Sequence, residues 1–167
     1  MQLERRNKMI YIGKIVNTHG IKGELRILSN FSSKNKVFIP QMPIYIDNQK
    51  EIINSYRHHK MFDMITLKNY NNINEVLKYK GKKVYIKEED LDLKNGEYIL
   101  EELLDYIIIE NKENLGLVKD IIYNNGNNLL LVKGKKDFYI PFNEHFIKNV
   151  DKEKKEVTVE NAKGLIL

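Results

Sequence analysis

Cysteine is absent from the 167 residues. The chain therefore forms no disulfide, holds no metal through a thiolate and uses no cysteine nucleophile, a composition that suits a reducing compartment. No apolar run approaches the roughly 20 residues that a membrane-spanning helix needs. The opening segment Met1 to Lys8 is charged, with no apolar signal-peptide core behind it. These absences lead to the expectation of a cytoplasmic protein with no membrane partner. Nucleotide loops are missing too: Gly13, Gly20 and Gly23 do not make a GxGxxG pattern, and no Gly-Lys-Ser/Thr closes a phosphate loop. No Gly-x-Ser-x-Gly nucleophile elbow occurs. His, Asp and Glu show no metal-ligand spacing, and the adjacent His58 and His59 would face opposite ways on a strand. The expectation is no metal, no cofactor and no catalytic residue.

What is present is an ordinary globular composition, 42% hydrophobic and 31% charged, in a chain long enough for one ample domain or two small ones. Charge is uneven. Residues 1–92 hold 17 Lys/Arg against 10 Asp/Glu, a net of +7, whereas residues 93–167 hold 11 against 13, a net of −2. A basic half joined to a slightly acidic half suggests two surfaces with different partners, although abundant Lys, Asn and Ile throughout would also produce some of this bias.

Short β-branched segments recur in the first half at Ile10 to Val16, Leu25 to Leu28, Ile44 to Ile46, Ile52 to Arg57 and Met61 to Leu67, with a turn such as Asp47-Asn48 between them. That spacing points to a small β-barrel. One helix interrupts it: Asn72 caps, Ile73, Val76 and Leu77 make the apolar face that plugs the barrel, and Gly81 ends the segment. The acidic stretch Glu88 to Gly96 reads as a linker, giving domains at 1–90 and 98–167 joined by 91–97. Beyond it, Tyr106 to Ile109, Leu117 to Tyr123, Leu129 to Val132, Phe138 to Ile140 and Val157 to Val159 are strand-like, with an Asn124-Asn125-Gly126-Asn127 hairpin turn. The fold class is mainly β, two small barrels with a short helix in the first.

One stretch stands out. Gly13-Lys14-Ile15, then His19-Gly20-Ile21-Lys22-Gly23, then Glu24-Leu25-Arg26-Ile27 reads as strand, two-glycine loop, strand. This stretch resembles the amino-terminal signature of the RimM family of bacterial ribosome maturation factors. Later landmarks resemble the PRC-barrel half of the same family: Leu115-Gly116-Leu117-Val118, Leu130-Leu131-Val132, Ile140-Pro141-Phe142, Val150-Asp151 and Gly164-Leu165-Ile166. The chain departs from the family pattern at Thr18, Asp105 and Asn128, and Ile99 stands where a second aromatic usually follows Tyr98.

The resemblance implies a translation-factor-like barrel followed by a PRC-barrel, and a non-enzymatic factor for late 30S assembly and 16S rRNA processing. It implies binding to the head of the small ribosomal subunit through ribosomal protein uS19, with 16S rRNA as a further contact; the uneven charge and two separate partner surfaces make a monomer the expectation. Candidate contact residues are Lys14, His19, Gly20, Lys22, Gly23 and Arg26 around the loop. Arg57, His58, His59 and Lys60 form a second basic cluster beside Tyr56, in which Arg57 and His59 are candidate contacts and Tyr56 or His59 offers a ring to an unpaired base, and Tyr98 opens the second domain. Two other readings stay open: a general RNA-binding module, and an RNA-modifying or flavin-linked enzyme with His19 in an active loop. For each basic cluster the bland alternative is a solvated strand face.

Overall fold

Strand β1 (Met9–His19) buries Ile10, Ile12 and Ile15 and turns Tyr11 and Lys14 outward, the two-residue alternation of a half-buried strand. This is a computed structural model, and it describes residues 8–167. The charged opening segment considered above lies outside them, apart from Lys8. The strands that follow are β2 (Glu24–Leu28), β3 (Pro43–Ile46), β4 (Gln49–His59), β5 (Phe62–Leu67) and β6 (Lys83–Lys87). They close into a barrel in the order β1-β2-β5-β4-β3-β6. Bulges in β1 between Tyr11 and Gly13 and between Ile15 and Asn17 let this long strand curve and pair with both β2 and β6. Leu25, Ile27, Ile44, Ile46, Ile53, Ile65, Val84 and Ile86 fill the interior and are fully buried.

A short helix α1 (Lys34–Val37) sits between β2 and β3, and a second, α2 (Ile73–Val76), begins at Asn72. The Asn72 side chain accepts the Asn74 N–H at 2.8 Å, the cap expected of that residue. The apolar face differs from the helical expectation. After Val76 the chain tightens into a 3₁₀ turn, Leu77–Tyr79, whose three-residue period aligns Tyr79 with Val76; both are buried and Leu77 faces solvent. The single O–H of Tyr79 is shared between Gln49 Oε1, at 2.8 Å, and the Glu51 carboxylate, which ties this turn to the start of β4.

Contacts divide the chain into units spanning 1–93 and 94–167. In the second unit, β7 (Ile107–Glu110), β8 (Glu113–Ile122), β9 (Leu129–Lys133), β10 (Phe138–Pro141), β11 (Ile147–Asp151) and β12 (Glu156–Val159) form one six-stranded sheet, ordered β10-β9-β8-β7-β12-β11. The Asn124 to Asn127 turn joins β8 to β9, with Asn125 and Gly126 at positive φ as a tight hairpin connection requires. Strand β12 returns to pair in parallel with β7, a long-range contact that no turn signal announces. Leu103, Ile108, Val118, Leu130, Val132, Ile140 and Val157 make the fully buried centre of this unit.

Candidate functional site

Along β2, β5 and β4 the barrel-filling residues alternate with Glu24, Arg26, Phe62, Arg57 and His59 on the outer face, and with Met64, which shares that alternation but is fully buried. Registry brings them together. His19 pairs with Glu24, Arg26 with Met64, Met64 with Arg57, and Phe62 with His59. Strand β5 thus carries one basic segment of the chain up to the other, although 31 positions separate Arg26 from Arg57.

Arg26 donates from Nη2 to His19 Nδ1 at 2.8 Å and lays its guanidinium over the Phe62 ring, 5.0 Å from the centroid. The His19 and His59 rings lie with centroids 6.0 Å apart. Arg57 grips Glu24 with two bonds, Nε to Oε2 at 2.8 Å and Nη2 to Oε1 at 2.7 Å. That hydrogen bonding holds the Glu24 carboxyl below its usual range, helped by the charge of Arg57 and by His19 and His59. His59 is pushed below the ordinary histidine value, first by desolvation and then by Arg57, Lys60, His19 and Arg26. Arg26 can only donate, so His19 Nδ1 is the acceptor of this bond.

The loop that opens the patch is pinned from below. Ile73 N–H donates to the Ile21 carbonyl at 2.9 Å, and Gly23, at φ +90°, passes so close to Asn72 that a Cβ would stand 3.1 Å from its carbonyl oxygen. Gly20 adopts φ +75° in open space. The result is a fixed loop that exposes Lys22 and leaves Ile21 81% accessible.

His19, Arg26, Arg57 and His59 are therefore one patch built from two sequence clusters, with Gly20, Lys22 and Gly23 in its loop. Lys14 is exposed but lies apart from this cluster in register, between Leu28 and Lys83. Tyr98 belongs to the second unit, half-buried, its ring standing edge-on to Phe142 with centroids 6.3 Å apart; burial raises its hydroxyl pKa. Tyr56 does not offer its ring as expected. It packs on Phe38 and donates its hydroxyl to the buried Asp63 at 2.6 Å, because its strand position faces the interior. Sequence reasoning missed Glu24 as the partner that offsets Arg57 and Phe62 as the platform under Arg26. The alternation Glu24-Arg26 and Phe62-Met64 signals a shared face within each strand, but the β2–β5 pairing that joins them is not local.

Chemically the patch presents cations, a π-supported guanidinium and imidazole donors, a set suited to phosphate and exposed bases. Among the described residues no group of three or more His, Asp or Glu could hold a metal ion, and no helix is long and apolar enough to cross a membrane.

A family model described as the RimM N-terminal domain matches residues 10–91, and one described as the RimM PRC barrel domain matches residues 100–165. The chain is 35% identical over 169 aligned residues to a ribosome maturation factor RimM of Bacillus cereus, covering 95% of this chain and 99% of that protein. It is 36% identical over 165 residues to the namesake of Exiguobacterium sibiricum, covering 93% and 96%. Among solved structures, a RimM from Pseudomonas aeruginosa aligns over 92% of this chain and 97% of its own at 19% identity and a TM-score of 0.42. The N-terminal domain of RimM from Thermus thermophilus aligns over 50% and 94% at 16% identity and a TM-score of 0.44.

Proposed function

This chain belongs to the RimM family of ribosome maturation factors, and from that premise we propose that it assists late assembly of the small ribosomal subunit and processing of its 16S rRNA by binding alone, in the cytoplasm and as a monomer. The observation that carries the binding role is the outer patch of the first barrel, where His19, Arg26, Arg57 and His59 converge beside the exposed Lys22. In this reading the patch faces the rRNA of the subunit head. The second unit, whose half of the sequence is slightly acidic, takes a basic head protein, uS19, on a surface that includes Tyr98. Binding of this kind drives maturation only by differential affinity: the factor favours the conformation it binds more tightly than competing ones.

The test is binding of the purified chain to immature small subunits, mature small subunits and isolated uS19 at two salt concentrations. Preference for the immature particle, direct capture of uS19, and loss of subunit binding when Lys22 and Arg26 are reversed to Glu in a folded protein are the expected results. Equal affinity for any RNA, falling steeply with salt and indifferent to uS19, would replace this reading with a general RNA-binding module. Turnover of an RNA substrate that His19→Ala abolishes would replace it with an enzyme.

A further inference from the structure

On the outer face of the first barrel, three tyrosines stand in one row across three neighbouring strands. Tyr11 of β1 pairs with Tyr85 of β6, and Tyr85 pairs in turn with Tyr45 of β3. Each alternates with buried residues, Ile10 and Ile12, Val84 and Ile86, Ile44 and Ile46, so all three rings project outward. At a strand spacing of about 4.8 Å the row extends over about 10 Å. Tyr11 is 48% exposed and meets Tyr85 edge to face, with centroids 5.7 Å apart.

Lysines frame this row. On β6, Lys83 and Lys87 flank Tyr85 on the same face, and Lys87 Nζ lies 4.9 Å from the centre of the Tyr45 ring. Lys14 stands opposite Lys83, and Lys50 extends the row as the partner of Tyr45. Beside the rings is a hollow of about 340 Å³ lined by Tyr45, Tyr85, Met9, Asp47, Lys82 and Lys83. Asp47 pairs with Lys82 at 3.8 Å, and the acidic turn Glu88–Asp90 follows Lys87 and bounds the surface there.

We propose that this tyrosine row is a binding surface for an unpaired RNA strand, with bases against the rings and the lysines taking the phosphates. Tyr11, exposed, and the partly exposed Tyr45 and Tyr85 offer ring faces and edges at strand spacing to unpaired bases, which a duplex keeps stacked inside itself, and the lysine frame supplies the salt-dependent attraction. None of the three tyrosines belongs to the Arg26 and Arg57 patch, and β3 and β6 contribute nothing to that patch. The barrel thereby carries two separate nucleic-acid faces.

The chain has 10 tyrosines and no tryptophan, so its intrinsic emission reports tyrosine directly. A labelled single-stranded RNA about ten nucleotides long should bind with quenching of that emission, whereas a blunt hairpin of the same composition should bind weakly and quench little. The double variant Tyr11→Leu, Tyr85→Leu should lower single-strand affinity about 10-fold or more and remove most of the quenching, with Tyr11→Phe near wild type. Lys83→Gln should reduce the salt slope by about 0.7. Should the Leu variant fail to fold, Lys83→Gln with Lys87→Gln carries the same test from polar positions on the face. Unchanged affinity and quenching in the ring and lysine variants, or equal binding of the hairpin, would overturn the proposal; so would isolated uS19 displacing the quenching strand while the subunit RNA does not. The Arg26→Glu variant should keep the quenching even if it loses subunit binding, which separates this surface from the maturation role.

Discussion

Arg57 holds Glu24 with two hydrogen bonds of 2.7 and 2.8 Å across the β2-β5-β4 face, and this pair determines which charges of the patch are available. The carboxylate offsets one guanidinium, so the remaining attraction for phosphate rests on Arg26 and Lys22, with Arg57 acting as a clamp that orders the face. Glu24→Gln removes the offset while keeping the shape. At low ionic strength its affinity for RNA and for small subunits should rise, with a salt slope about one contact steeper, and thermal stability should fall only slightly because the pair is exposed to screening solvent. A fall in affinity would show that Arg57 must be held in place to contribute. Hydrogen bonding to Arg57 lowers the Glu24 pKa in the fold, so its stabilisation is complete above about pH 4.5 and is lost as pH falls through the depressed value. The Gln variant should lack that part of the acid sensitivity.

His59 is held below the ordinary value of 6.5 by desolvation first and then by Arg57, Lys60, His19 and Arg26, which favours the neutral imidazole near pH 7. A bound phosphate favours the imidazolium. RNA affinity of the intact protein should therefore rise between pH 7.5 and pH 5.5, and His59→Gln should flatten that rise in an anisotropy titration. The stability contribution runs the other way: the fold favours neutral His59, so this contribution is present above about pH 6.5 and lost as pH falls through the depressed value. A pH-independent affinity in the unsubstituted protein would remove His59 from the contact surface.

The two loop glycines differ in a measurable way. Gly20→Ala meets nothing within 4 Å and costs only the left-handed backbone penalty, about 1–2 kcal/mol. Gly23→Ala carries the same penalty and also presses a methyl group against the Asn72 carbonyl at 3.1 Å. Thermal unfolding should rank Gly23→Ala clearly below Gly20→Ala. Equal melting temperatures would mean that the loop does not rest on the helix cap.

Asp63 is fully buried, accepts the Tyr56 hydroxyl at 2.6 Å and pairs with Lys34 at 2.9 Å. Asp63→Ala leaves a part-buried hydroxyl and a half-buried ammonium without their partner and should cost about 1–3 kcal/mol in denaturant unfolding. Burial, and after it the bond to Asp63, pushes the Tyr56 pKa up to about 12. Removing Asp63 should bring tyrosinate absorbance in at lower pH, and an unchanged titration would place the hydroxyl elsewhere.

Much of the architecture follows from local patterns that any conformation of the chain must obey. The alternation Ile10-Tyr11-Ile12 and Val84-Tyr85-Ile86 dictates strands with one apolar face, Asn72 places the start of α2, and Asn125-Gly126 allows a tight hairpin. The absence of cysteine and of long apolar runs belongs to the composition alone. The Gly20 to Gly23 loop, with its basic neighbours, is likewise visible as residues. Leu77 stands at i+4 from Ile73 in an α-helix, but after Val76 the chain turns as 3₁₀, so the three-residue step carries burial from Val76 to Tyr79 and leaves Leu77 exposed.

The assembly of the site was decided by tertiary structure. Arg26 and Arg57 share a face only because β5 inserts between β2 and β4, and the tyrosine row exists only because β6 closes the barrel between β1 and β3. The same holds for β12, which returns to lie parallel to β7. Strand propensity is a property of neighbours along the chain, whereas strand order is settled by which apolar faces can be buried together once loops of permitted length have closed. The sequence by itself determined most of the strand segments and the alternation within them, though not the facing of Tyr56 or Leu77. Barrel closure alone determined which of those side chains meet.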